Sequence, residues 1–409
     1  MKLLKVTRFY RSYLKNFYRK HPGLADKSFA EQKAALDYDA FGWADYWTNA
    51  LTPLGYEVME ITYNAKPMQQ AWAKENSLSP RRGAELENIA LAQAKSFKPD
   101  IVWFEDFNDD LLHAIRAGVP SLKVVLGWVG SAVPRTKAWR HMDLILSCAQ
   151  ESVEHLNKNG FPSAQLHHAF DPRINGRLME RPKQTDLSFI GQLVRLSKFH
   201  MEREYLLEQL ATKIGIDIIS PSADWGWKDD VTAPMIAAAY YGMKALKAVG
   251  VPGSALRALP IGKVMDFPPK SLRLVDPVLK PFLKPGVFGL QMFQVLRDSR
   301  ITLNVHADSS PRFASNMRLF ETTGVGTCMV TDWKANLPEL FEPDNQVVTY
   351  KTADECVEKI SWLLDHPKER EDIARAGQAR TLREHTFAQR ALLLNEIIQK
   401  QMKTKVNLN

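Results

Sequence analysis

The feature that most limits what this chain can fold into is a repeated grammar. Short apolar runs alternate with helix-patterned segments, and the alternation runs through the sequence twice. In the first pass Leu3 to Tyr10, LGYEVMEITYN, PDIVWF (Pro99 to Phe104), SLKVVLGW and MDLILSC read as strands, with helices near 40–51, 88–95, 110–117 and 152–159. In the second, DLSFIGQL, IDIISP, SRITLNVH, TCMVTD and QVVTY alternate with helices near 202–215, 316–323 and 353–364, and long helices follow through Lys400. Continuous apolar runs separated by helical crossovers pair in parallel and are covered on both faces. The polar segment FDPRINGRLMERPKQT (170–185) has no clean period and marks the junction. The expected architecture is α/β, with two Rossmann-like units at 1–172 and 173–380 whose parallel sheets face a cleft. Region 221–286 reads as inserted helices and loops, because prolines from Pro234 to Pro285 break any long element.

Composition narrows the function classes. A formal charge of +8, from 54 basic and 46 acidic groups, favours an anionic ligand but is too diluted for purely electrostatic nucleic-acid binding. The three cysteines, Cys148, Cys328 and Cys356, lie far apart and give neither a zinc knuckle nor a disulfide framework. Together with the lack of any apolar run of membrane-spanning length, and of a signal-peptide core in MKLLKVTRFYRSYLKNFYRK, this predicts a cytoplasmic protein. The basic first segment, carrying Arg8, Arg11, Lys15, Arg19 and Lys20 ahead of Asp26, is the candidate for peripheral contact with a membrane face or for an anionic substrate.

Ligands of open α/β sheets bind beyond the carboxyl ends of the strands, so the residues following each run carry extra weight. In the first unit these are Arg8, Tyr10, Glu105, Asp106, Trp128 and Ser131; in the second, Gly191, Arg195, Lys198, His306 and the segment SNMRLFETTGVG with Asn316, Arg318, Glu321, Gly324 and Gly326. Glu105 or Asp106 is the candidate general base on a hydroxyl nucleophile. The neighbouring acids of EDFNDD also read as a helix cap and first-turn charges. Gly191, followed by Arg195 and Lys198 entering a helix, suits a diphosphate, although a solvated basic face has the same pattern. Glu321, ahead of a Gly324 to Gly326 turn, is placed to accept from ribose hydroxyls, or is simply a helical acid before a stop signal. Asp37-Tyr-Asp39 lies between helical segments and reads as structural, and no clustered His or Cys ligands suggest a metal.

The segment ASNMRLFETTGVGTCMVTDWKANLPELFEPDNQVVTY, continuing to H-P-x-E-R and H-T-F, resembles the C-terminal half of the CgeB-like, spore-maturation type of glycosyltransferases. The match runs over roughly 287–390, with weaker likeness in DLSFIGQL and HHAFDPR. The resemblance implies a GT-B fold, a UDP- or GDP-linked sugar as co-substrate without a further cofactor, and a glycan, lipid-linked or protein acceptor with no nucleic-acid partner. It implies that Glu321 binds the donor ribose and that Arg318, Asn316 and the Gly324 to Gly326 turn lie near the diphosphate. It further implies that Gly191 with Arg195 closes on the diphosphate, with Lys198 part of the same nucleotide site, that acceptor chemistry belongs to the first unit, and that residues 381–409 form a helix returning to it. Where many retaining members carry a second glutamate eight positions before the ribose-binding one, this chain has Phe313. A nucleotide-sugar epimerase or hydrolase, and an inert glycan- or protein-binding adaptor, share the same scaffold.

Overall fold

The computed structural model describes residues 1–80, 85–130, 132–193, 201–224, 227–251, 256, 259, 277–307 and 309–406. Strands β1 (Lys2–Thr7), β2 (Glu57–Thr62), β3 (Ile101–Phe104), β4 (Val124–Val129), β5 (Leu144–Ser147) and β6 (Ser163–Gln165) form a parallel sheet in the order β2-β1-β3-β4-β5-β6. Strands β7 (Thr185–Ile190), β8 (Asp217–Ser220), β9 (Leu283–Pro285), β10 (Ser299–Asn304), β11 (Cys328–Asp332) and β12 (Val348–Tyr350) form a second, ordered β12-β11-β10-β7-β8-β9 and likewise parallel. Both sheets reverse their winding once, between β1 and β3 in the first and between β7 and β10 in the second. Such a reversal splays the crossover helices apart and opens a crevice at the carboxyl edge.

The strands alternate between two buried faces. In the first sheet Leu4, Val6, Val102 and Phe104 pack under one helical layer. Leu3, Trp103, Val124 and Leu126 enter a core that continues through Trp43, Trp47 and Phe387 to Phe170, Phe293, Phe320 and Met329 of the second half. The two halves therefore share apolar packing instead of meeting only through polar surfaces. The terminal helix Phe387–Val406 begins beside Phe170, where backbone pairs with His385 and Phe387, and crosses to the helix Tyr46–Leu51 of the first half. There the Phe387 ring lies 4.9 Å from Tyr46 and 5.1 Å from Trp47, and Tyr56 donates to Asn395 Oδ1 at 2.7 Å.

The halves also meet at the helix Gly289–Asp298. Its first residue has φ of +56°, and a Cβ there would lie 2.3 Å from the carbonyl oxygen of Asp39, so only glycine permits this approach. The adjacent Leu290 amide donates to that carbonyl at 2.7 Å. A second clasp joins the helix Gln150–Lys158 to the loop after β10. Glu151 accepts from the Ser310 hydroxyl at 2.8 Å, the Arg312 amide at 2.9 Å and the Phe313 amide at 3.1 Å.

Within 221–286 the structure departs from the sequence expectation. Trp227–Ala248 is a single helix with Pro234 inside it. One proline removes one backbone donor and strains one turn, a local penalty of about 3 kcal/mol that a long helix can absorb. The region also returns a strand, β9, to the free edge of β8. Among the described residues, no helix is long and apolar enough to cross a membrane.

Candidate functional site

The carboxyl edges of the two sheets enclose a cavity of about 530 Å³. Its walls come from both reversal points. Thr7 ends β1, Arg8 and Glu105 follow β1 and β3, and Ile190, Gly191, Asn304 and Val305 end or follow β7 and β10. Tyr10, Trp128 and His168 complete the first wall, and Asn316, Arg318 and Glu321 complete the second.

Parallel register explains the first wall. Lys5 lies opposite Glu60 and Trp103, so all three side chains share a face. Glu105 is two residues beyond Trp103 and points the same way, because side chains alternate along an extended strand. Lys5 Nζ consequently sits 3.0 Å from Glu105 and 3.5 Å from Glu60, and lies over the Trp43 ring at 5.1 Å. Glu60 is further held by the Thr48 amide and hydroxyl at 2.8 and 2.9 Å. Burial pushes the Glu105 carboxyl above its ordinary range, against the opposing pull of Lys5. Burial works to lower Lys5, but the two glutamates more than offset it and the ammonium is stabilised. The second carboxylate oxygen of Glu105, Oε1, is buried without a hydrogen-bond partner.

Asp106 takes the opposite face. It accepts from the Tyr63 hydroxyl and from the Phe107 amide at 2.7 Å, and it lines a separate cavity on the first half. Of the two candidate bases, Asp106 does not face the inter-sheet cavity: alternation gives that position to Glu105. Arg8 lines both cavities and approaches Asp106 at 3.9 Å. The acids of Asp37-Tyr-Asp39 line neither cavity. Asp37 pairs with Lys33 at 2.6 Å and Asp39 accepts from Tyr13 at 2.8 Å.

On the second wall, Glu321 is buried and pairs with Arg318 at 2.8 Å, one turn earlier on the helix Arg318–Gly324. Burial raises the Glu321 carboxyl, while Arg318 opposes that rise. The Asn316 amide donates to Asn304 at 2.6 Å, which ties the start of this helix to the end of β10. Arg318 Nε and Asn316 Oδ1 are buried without partners.

Several expected residues stand elsewhere. The Gly324 to Gly326 turn is not at the cavity. A crossover helix runs back from the carboxyl edge to the amino edge of the strand it feeds, so its last residues lie about 10 Å from its first. There Gly324 packs on Phe170, its carbonyl accepts from Asn175 and Gln378 at 3.1 Å each, and Gly326 turns at φ of +78° into β11. His306 likewise misses the cavity. Its side chain is fully buried, it pairs with Asp332 at 2.7 Å, and it borders a different hollow of about 800 Å³ within the second half. Although burial opposes it, His306 and Lys334 hold the Asp332 carboxyl far below the usual range. Ser131, Arg195 and Lys198 lie outside the described residues.

Sequence reasoning missed Lys5, Glu60 and His168. Lys5 and Glu60 sit mid-strand in otherwise apolar runs, and a charged pair opposed across parallel strands was the available signal. His168 lies between the Trp43 and Trp128 rings at 5.7 and 5.5 Å, and burial lowers its pKa to about 3. Among the described residues, no group of His, Cys, Asp and Glu is arranged to hold a metal ion.

Residues 280–396 match a family model described as glycosyl transferase-like. No curated protein sequence matches the chain. Among solved structures, a glycosyltransferase from Rickettsia africae superposes with a TM-score of 0.54 at 8% identity, covering 98% of each chain. Anabaena HepE, solved with UDP and glucose, gives 0.53 at 12% identity over 98% of this chain and 100% of its own. An α-glucosyltransferase solved with UDP-glucose and DNA gives 0.55 at 11% identity over 97% and 99%. The fold is GT-B, and the matched segment of the second half is of glycosyltransferase type.

Proposed function

We propose that this chain, a GT-B glycosyltransferase, moves a sugar from a UDP- or GDP-linked donor to an acceptor hydroxyl in the cavity between its sheets, and that it is of the CgeB-like group. The observation that carries the reading is the convergence of both reversal points on one cavity, with a cation-paired carboxylate on one wall and a half-satisfied carboxylate on the other. In this reading Glu321, fixed by Arg318, accepts from the donor ribose. Arg318 and Asn316 lie toward the diphosphate, and Gly191 gives the chain a close approach to it. The bond from the anomeric carbon to the diphosphate oxygen breaks, and the nucleoside diphosphate leaves with the electron pair. The acceptor oxygen forms the new bond and its proton passes to Glu105, which lines the cavity. A base on the acceptor wall favours inversion at the anomeric carbon. Arginine charge takes the part that a divalent ion plays in other sugar transfers, so turnover is expected to survive EDTA.

Donor binding tests the assignment directly. A panel of nucleoside diphosphates and their sugars, followed by thermal shift, should single out one base, because a ligand of the native state stabilises it by mass action. Glu321→Ala should then weaken that nucleotide by roughly 10- to 100-fold, the consequence of losing a charged hydrogen-bond acceptor. Unchanged affinity in a folded Glu321→Ala protein would remove the ribose assignment.

A further inference from the structure

The cavity on the far side of Arg8 is larger than the donor cavity, about 920 Å³. Its rim carries Arg8, Arg11, Lys15 and Lys66, against the carboxylates of Asp106 and Glu87. The two acids are already engaged: Asp106 accepts from Tyr63, and Glu87 from Asn108 at 3.4 Å. Among the described residues, Arg11, Lys15 and Lys66 form no ion pair. Four cations gathered round one hollow repel one another. Asp106 beside Arg8 and the carboxylate of Glu87 offset part of that repulsion, and the four cations against two acids leave the hollow with a net positive charge that favours an anion.

The surrounding backbone has the same polarity. The helices Arg11–Lys20 and Lys66–Glu75 both begin at this hollow, and neither has a side-chain cap or an acid in its first turn. The neighbouring helix Asp109–Gly118 is different, with Asn108 accepting from the Leu111 amide and two acids in its first turn. The uncapped start of Arg11–Lys20 adds positive potential to the cation cluster, whereas at Lys66–Glu75 Pro67 carries no N–H and the Met68 amide is taken by Tyr18, so there the contribution is chiefly that of the Lys66 side chain. Tyr18, Tyr63 and Phe107 supply a partly apolar floor.

We propose that this second cavity is an anion subsite that takes a phosphate group of the acceptor. The inference rests on the transferase reading above, and it supplies the acceptor's chemical class. Because Arg8 borders both cavities, a phosphate held there leaves the rest of the acceptor to pass Arg8 and present its hydroxyl near Glu105. The phosphate is recognised as such, whether it belongs to a soluble sugar phosphate or to a lipid headgroup.

The test is binding, which needs no turnover. Glucose 6-phosphate and glucose are titrated calorimetrically into the wild-type protein and into the triple variant Arg11→Ala/Lys15→Ala/Lys66→Ala. All three side chains are exposed and lie outside the donor machinery, so folding and nucleotide affinity serve as controls. The expected result is binding of the phosphate but not of glucose, weakened at least tenfold by the triple variant and by added salt. Lys15→Glu alone should weaken it in the same direction. A parallel arm measures sedimentation with phosphatidylglycerol and phosphatidylcholine vesicles. Selective retention on the anionic vesicles, lost in the triple variant, identifies a lipid source, whereas binding of glucose 6-phosphate alone identifies a soluble one. Equal binding by wild type and triple variant, or no binding in either arm, overturns the subsite. Loss of nucleotide binding with the phosphate result intact would overturn the transferase reading instead.

Discussion

The two carboxyl edges that face each other are built on the same parallel scaffold but hold their charges differently. On the second half each carboxylate has its own partner: Glu321, at the cavity, has Arg318, and Asp332, in the neighbouring hollow, has Lys334 and the His306 ring. On the first half one buried ammonium, Lys5, serves two glutamates, and cations are left over at the rim. Paired charges make a rigid, electrically quiet wall suited to holding a ligand in one pose. An under-neutralised carboxylate beside free cations makes a wall that can take up a proton and an anion. The lesson is that sheet topology decides where the groups stand, whereas the local ratio of acids to bases decides what they can do.

The largest expected effect strikes the acid side of that contrast. Glu105→Gln keeps the shape but removes the proton acceptor, and kcat should fall by roughly 10²- to 10⁴-fold with donor affinity little changed. Asp106→Asn, on the opposite face, should stay within about threefold of wild type. Equal losses in both variants, read by nucleotide release with acceptor present, would erase the distinction between the faces.

A smaller effect separates the edges by pH. His168 on the first wall is neutral and buried, with a pKa lowered from 6.5 to about 3 by burial and by the charges of His167 and Arg390. The unfolded chain binds the proton that the native one refuses, so stability is full above pH 6.5 and is lost on acidification below it. By pH 4.5 the loss should reach about 2 to 3 kcal/mol. Asp332, in the separate hollow of the second half, also has a lowered pKa, and its contribution starts to fade only near the ordinary carboxylate range of 3.8. Denaturant midpoints between pH 7 and 4.5 should decline in the wild type and decline less steeply in His168→Gln, where His167 and His385, also lowered to about 4, keep their share of the loss. An unchanged slope in that variant would assign the acid sensitivity elsewhere.

The smallest effect concerns the contact between the edges. Glu151 reaches from the first half to two amides and a hydroxyl of the second, and its removal in Glu151→Ala should favour the open cleft. About 1 kcal/mol of lost closure corresponds to roughly fivefold weaker donor binding. Small-angle scattering at saturating nucleotide should then show a larger radius of gyration than the wild type.

How much of this could be read from the chain depends on the kind of signal. The parallel α/β arrangement followed from continuous apolar runs such as IVWF and LILS, because strands buried on both faces leave that mark. The same property hid the choice between Glu105 and Asp106. When both faces are apolar, nothing in the pattern tells which one looks toward the other half. Glu321 and Arg318 reach the cavity because a helix entering from a strand end brings its first turn to the carboxyl edge. The Gly324 to Gly326 turn was misplaced for the same geometry, since that helix carries its end away. His306 follows a strand as expected, but its pairing with Asp332 turns it into the second half. Pro234 was read as a breaker although a helix continues through it. Lys5 and Glu60 needed register, which is a property of two strands together and of neither alone.

The returning helix Phe387–Val406 has a consequence for how the protein is made. Trp43, Tyr46 and Trp47 are covered by Phe387, yet the first sheet is complete at Gln165, about 220 residues earlier. At the roughly 5–20 residues per second of synthesis, this aromatic surface waits for some 10 to 45 seconds before its cover exists. During that interval the nascent first half exposes apolar surface of the kind that aggregates or is held by chaperones. A chain truncated before Phe387 should remain in that condition permanently.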